Sequence, residues 1–167
     1  MKNASKFLVI TVLGLAFSAA TFAQATANAS ATIIGPISIA RTSHMFFGNV
    51  AINATPGIVQ LAPAGTRTPG GGVTLPATTG TVSPAIFTVT GADGYTYAIT
   101  LPTVDHTISD GTNNMIVNAF TSTPSGTGSL AGGSQELRVG ATLNVGASQP
   151  AGTYTSVASF TVTVNYN

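Results

Sequence analysis

Beyond its first segment, the chain holds few groups for acid–base chemistry: His44 and His106, with Asp93, Asp105, Asp110 and Glu136. His106 follows Asp105 and precedes Asp110, so a His–carboxylate pair for general-base work is conceivable there. Residues 103–114 read more simply as a polar hairpin connection between strands. Asp110-Gly111-Thr112-Asn113-Asn114 offers the carboxylate and amide oxygens that calcium takes. It lacks alternate-ligand spacing and a closing carboxylate, which favours a turn. The absence of cysteine excludes a disulfide, a thiol nucleophile and a cysteine metal site. Gly70-Gly71-Gly72 precedes neither a lysine nor a helix start, so it is no phosphate cradle. Neither a Gly-x-Ser-x-Gly elbow nor a His-Glu-x-x-His pair occurs. The expectation is a protein without catalytic residues, cofactor or metal, and not an enzyme.

Charge narrows the partners. Residues 1–23 read as a secretory signal: Lys2 and Lys6, an apolar run from Phe7 to Phe17, and the small-residue exit Thr21-Phe22-Ala23. The run is shorter than the ~20 residues of a membrane-spanning helix, so no transmembrane segment is expected in the mature chain. Without both lysines, Arg41, Arg67 and Arg138 stand against four acidic side chains, a net charge of −1. Three scattered arginines make no nucleic-acid surface. So little charge also leaves self-association weakly opposed.

The elements that carry these residues are strands. Apolar residues alternate at Phe46, Gly48, Val50 and Ile52; at Ala85, Phe87 and Val89; at Tyr95, Tyr97, Ile99 and Leu101; and at Leu137, Val139, Ala141, Leu143 and Val145. Turn signals separate them, among them Pro69-Gly70-Gly71-Gly72, Gly91-Ala92-Asp93-Gly94 and Asp110-Gly111. Short strands with regular turns predict an all-β antiparallel sandwich. Residues 91–94 are expected to join two neighbouring antiparallel strands, and 62–72 and 121–134 to be surface loops. The division predicted is signal 1–23, N-terminal extension 24–31 and one sandwich domain, 32–167.

Both ends carry such ladders. Odd positions from Ala25 run through Ala27, Ala29, Ala31, Ile33, Gly35, Ile37 and Ile39; even positions at the other end are Ala158, Phe160, Val162, Val164 and Tyr166. A strand points alternate side chains to opposite faces, so each ladder offers one apolar edge to a core. That core can belong to the same molecule or to another. As a donated strand, Ala29, Ala31, Ile33, Gly35, Ile37 and Ile39 would form the partner-facing side, the isoleucines burying ~2–3 kcal/mol each against ~0.8 per alanine methyl.

Several pieces occur in the order seen in one bacterial family: Phe47-Gly48, Phe87-Thr88-Val89-Thr90-Gly91, Tyr97-Ala98-Ile99-Thr100-Leu101-Pro102, Val139-Gly140-Ala141-Thr142-Leu143, Gly152-Thr153-Tyr154-Thr155 and Phe160-Thr161-Val162-Thr163-Val164-Asn165-Tyr166. Over residues 31–166 the chain resembles domain-of-unknown-function family 4402, which is similar to spore coat protein U and chaperone–usher fimbrial subunits. The resemblance implies an immunoglobulin-like, pilin-like sandwich exported by a Gram-negative bacterium through the periplasm to the cell surface. It further implies a periplasmic chaperone, an outer-membrane usher, and a C-terminal strand of Phe160, Val162, Val164 and Tyr166 that chaperone or subunit grips. Many relatives of that kind carry a disulfide; this chain departs from them. The function expected is a structural subunit of a surface fibre or coat, assembling with copies of itself or related subunits by strand donation. The alternative is a monomeric binding module holding a glycan or protein in loops 62–72 and 121–134.

Overall fold

The computed structural model describes residues 22–167, so the secretory signal read over 1–23 lies almost wholly outside the described residues. The chain divides into two units, 1–32 and 33–167. In the first, the described residues 22–32 are exposed and enter neither helix nor strand. The second unit is built of strands.

In chain order these are β1 (Ser38–Ser43), β2 (Phe46–Phe47), β3 (Ala51–Leu61), β4 (Arg67–Thr74), β5 (Val82–Ser83), β6 (Ala85–Thr90), β7 (Thr96–Thr100), β8 (His106–Ser109), β9 (Asn114–Thr123), β10 (Thr127–Ser129), β11 (Ser134–Val145), β12 (Thr155–Ser156) and β13 (Thr163–Tyr166). A 3₁₀ turn, Ala131–Gly133, precedes β11. All pairings are antiparallel.

β11 is the axis of the main sheet. Its first half pairs with β6 and its second half with β3 along one side, while β9 runs along the other. β1 extends the sheet beyond β6, β4 beyond β3, and β8 with β12 beyond β9. The second sheet is small, in the order β10-β7-β13; β2 and β5 form a separate pair.

The two sheets share a core. Val89, Leu137 and Val139 of the main sheet pack in one cluster with Tyr97 and Val164 of the second and with Val162 just ahead of β13. This is the antiparallel all-β sandwich expected from the alternation. The second cluster, Val59, Val73, Val117, Ala141, Leu143 and Val145, lies under the β3–β11–β9 half. Each fully buried Leu or Val contributes ~1.5–3 kcal/mol. Tyr97 is fully buried, and its hydroxyl donates to Gln135 Oε1 at 2.9 Å. Gly128 sits opposite Tyr97, where any Cβ would run into the phenol ring. Desolvation raises the Tyr97 pKa above its ordinary value.

Residues 103–114, read as a connection between strands, hold the strand β8, and three further expectations change. Residues 91–94 link β6 and β7, which belong to different sheets, so they form a bridge across the sandwich and no hairpin. The glycine-rich stretch 62–72 contains most of β4, and 121–134 contains β10 and the end of β9. Glycine and proline fit there because β4 is an edge strand, where a missing amide or side chain costs little. Lastly, the terminal ladder is no single strand. The chain leaves the main sheet after β12, crosses at 157–162, and joins the second sheet as β13.

Candidate functional site

The residues that stand out chemically in the sequence do not meet. Asp105 and His106 are adjacent in sequence, but their side chains take different partners. The Asp105 carboxylate accepts from Asn118 Nδ2 at 3.1 Å, and Asn118 Oδ1 accepts from Asn144 Nδ2 at 3.0 Å. His106 Nε2 lies 3.1 Å from Ser156 Oγ, and its ring meets Phe160 edge-on at 5.7 Å. Both border a cleft of about 340 Å³ between residues 101–106 and 159–161, yet no His–carboxylate pair forms in it. Asp110 closes a turn: Oδ1 accepts the Asn113 and Thr112 amides at 2.6 and 2.8 Å, and Oδ2 the Asn113 side chain at 3.1 Å. Those bonds, the Asn113 amide foremost, stabilise the carboxylate and lower its pKa to about 2. Among the described residues no three His, Cys, Asp or Glu side chains come together as a metal site.

The terminal ladders hold the more informative geometry. β13 pairs with β7 on one side and, among the described residues, with no strand on the other. The Asn167 amide donates to Thr96 O at 3.2 Å, which makes Asn165–Ala98 and Thr163–Thr100 the bonded pairs of the ladder. The amides and carbonyls of Val164 and Tyr166 therefore point off the sheet. Their side chains do not: Val162 and Val164 are buried, Phe160 packs against the same cluster, and Tyr166 is half-buried.

Tyr166 lies at the end of the sandwich where the 91–94 bridge and the start of β1 also lie. Its hydroxyl accepts the Ala92 amide at 2.6 Å and donates to the Gly35 carbonyl at 3.1 Å. Its ring meets Tyr95 edge-on at 5.7 Å. Gly91 makes room, since a Cβ there would strike the Tyr166 hydroxyl.

The opening ladder is divided. Ile39 lies in β1 opposite Val89 of its own chain, and Ile37 packs half-buried against the first cluster. Ile33 is 95% exposed, and Ala29 and Ala31 are exposed. Gly35 is exposed, with its carbonyl held by Tyr166. Inward-facing positions are 39, 37 and then 34, so the register shifts by one across Gly35-Pro36. Pro36 supplies the reason: it has no amide for a ladder and restricts the residue before it. The Tyr166–Gly35 bond joins residues 131 apart, and no local spacing announces it.

Among curated proteins and solved structures, none matches this chain. One family model does, described as a domain of unknown function (DUF4402), over residues 37–166. With most of its length matched, the chain belongs to the DUF4402 family.

Proposed function

We propose that the protein is an exported, non-enzymatic subunit of a surface fibre or coat, in which residues 24–34 of one copy add a strand to β13 of the next. One observation carries the reading: an exposed segment outside helix and strand, with Ile33 facing solvent, occurs in the same chain as a strand edge that has no partner among the described residues. Fully extended, 24–34 spans ~35 Å, longer than β13 and its approach segment need. Its odd side chains, Ala25 to Ile33, form the apolar side, and its backbone would pair with the free groups of Val164 and Tyr166. Each bond so formed contributes ~1 kcal/mol net.

The added strand would enter beside β1, whose Cα atoms come within 8 Å of those of β13. A strand between two neighbours needs ~9.6 Å, so β1 must yield by about 2 Å or more at the closest point. Ile37 and Ile39 stay with their own domain in this scheme; the donor is the alanine-rich part ending at Ile33. A periplasmic chaperone would meet the same edge before assembly, and an usher would release the subunit.

The test mixes a chain starting at Gly35 with a peptide of residues 24–34. Binding with a rise in melting temperature supports the reading; a truncated domain that ignores the peptide contradicts it.

A further inference from the structure

The ladder between β7 and β13 stops early, and the stop opens a cleft. Thr163 pairs with Thr100, and the same register sets Thr161 opposite Pro102. Proline has no amide to give the Thr161 carbonyl, so the bonded pair due there cannot form. Beyond it the two chains part toward the main sheet, 101–105 leading to β8 and 157–162 coming from β12. The cleft of about 340 Å³ lies between them. A second, of about 500 Å³, adjoins it along Leu101-Pro102-Thr103 and reaches toward Ser122 and Gly126.

The first cleft has one apolar wall and a polar rim. Phe160 supplies the wall, backed by Phe120 at 5.1 Å and by the His106 ring edge-on at 5.7 Å. Thr103, Ser159 and Thr161 bring exposed hydroxyls. Among the described residues, the Thr161 amide and carbonyl have no backbone partner. Asp105 uses Oδ1 for Asn118 and keeps Oδ2 as an acceptor. This lining selects among ligands. No arginine or lysine stands there to hold a phosphate or carboxylate, and Asp105 repels both. A wholly apolar guest would leave the rim groups unpaired. A pyranose has hydroxyls that donate and accept, and a C–H face to lie against Phe160. The volume is at the low end of small-ligand pockets, which suits a single ring.

We propose that the cleft between 101–106 and 159–161 binds a neutral pyranose, with Asp105 and the rim hydroxyls taking its hydroxyl groups and Phe160 its apolar face. The site is complete within one chain and does not depend on strand donation. A single ring in so open a cleft binds at about millimolar strength. Along a fibre the same cleft recurs in every copy, and simultaneous contacts with a glycan-bearing surface raise the overall avidity.

The experiment titrates the isotope-labelled mature chain, residues 24–167, with the methyl glycosides of glucose, galactose, mannose and N-acetylglucosamine, following backbone amide resonances. At least one should shift the amides of 103–106 and 159–161 saturably in the millimolar range. The corresponding uronic acid glycoside should bind about tenfold more weakly, because its carboxylate meets Asp105. Asp105→Asn keeps an acceptor for Asn118 but loses the charge. It should weaken the neutral sugar about tenfold, the worth of a charge-assisted hydrogen bond, and abolish the discrimination against the acid. Ser159→Trp, at an exposed rim position, should fill the cleft and remove the shifts with an unchanged melting temperature. If that variant does not fold, Thr103→Trp closes the cleft from the opposite rim. Saturable shifts that survive in a folded tryptophan variant, or that map elsewhere on the molecule, overturn the site. So does the absence of saturable shifts with all four glycosides, whether or not a peptide of residues 24–34 binds at these amides.

Discussion

Residues 25–39 and 158–166 alternate equally well in sequence and end in different situations. The closing stretch keeps its apolar residues at home: Val162 and Val164 are buried against Tyr97 and Leu137, although the chain crosses from one sheet to the other on the way. The opening stretch keeps only Ile37 and Ile39, and leaves Ile33 in solvent. Alternation therefore specifies a face and not the molecule that covers it. What separates the two is Pro36, which precedes β1 and ends its ladder, while the closing stretch finishes paired with β7 of its own chain.

The contrast can be broken most forcefully from the core both stretches border. Tyr97→Ala removes a fully buried ring opposite both β10 and β13, and should cost about 3–5 kcal/mol in urea unfolding. A loss under 1 kcal/mol would mean that the second sheet is not held as described. Val164→Ala should cost about 2 kcal/mol through lost burial and the cavity left behind.

Ile33→Asp sharpens the difference. The side chain is 95% exposed, so the melting temperature of the dilute monomer should stay within error of wild type while the assembled fraction falls. If stability falls instead, Ile33 is covered within its own chain.

The smallest effect belongs to a turn outside both ladders. The Asp110 carboxyl titrates at about 2, below its ordinary 3.8. Its folded pKa is depressed, so its contribution is fully present above pH ~4 and lost as pH falls from there toward 2. Asp110→Ala should flatten the stability profile across that window, with the loss of stability largest above pH ~4, pH 7 included, and vanishing toward pH 2. An unaltered acid limb would show that the turn bonds do not form in solution.

Much of the fold was legible in the residues. Leu137, Val139, Ala141, Leu143 and Val145 are buried in one register, and the bulge opposite β9 does not disturb it. Strand membership was harder where edge strands admit turn residues, as with Pro69 and Gly70-Gly71-Gly72 in β4. The sheet to which each strand belongs was not legible at 91–94, because a bridge between sheets and a hairpin use the same glycine chemistry. Of the candidate site, the apolar faces were visible and the break at Gly35-Pro36 was readable from proline's missing amide. The Tyr166–Gly35 contact was not, since it depends on how opposite ends of the chain pack.

The absence of cysteine offers the most direct test of strand donation. Single cysteines are placed in one preparation on the polar side of the arm, as Asn28→Cys, Ser30→Cys or Thr32→Cys, and in another on the outward face of β13, as Asn165→Cys. After mixing and mild oxidation, the account predicts a disulfide between arm and β13 of different copies, strongest at one arm position. No cross-link at any arm position on mixing, or one that forms only in a double variant carrying both cysteines in one chain, would contradict it.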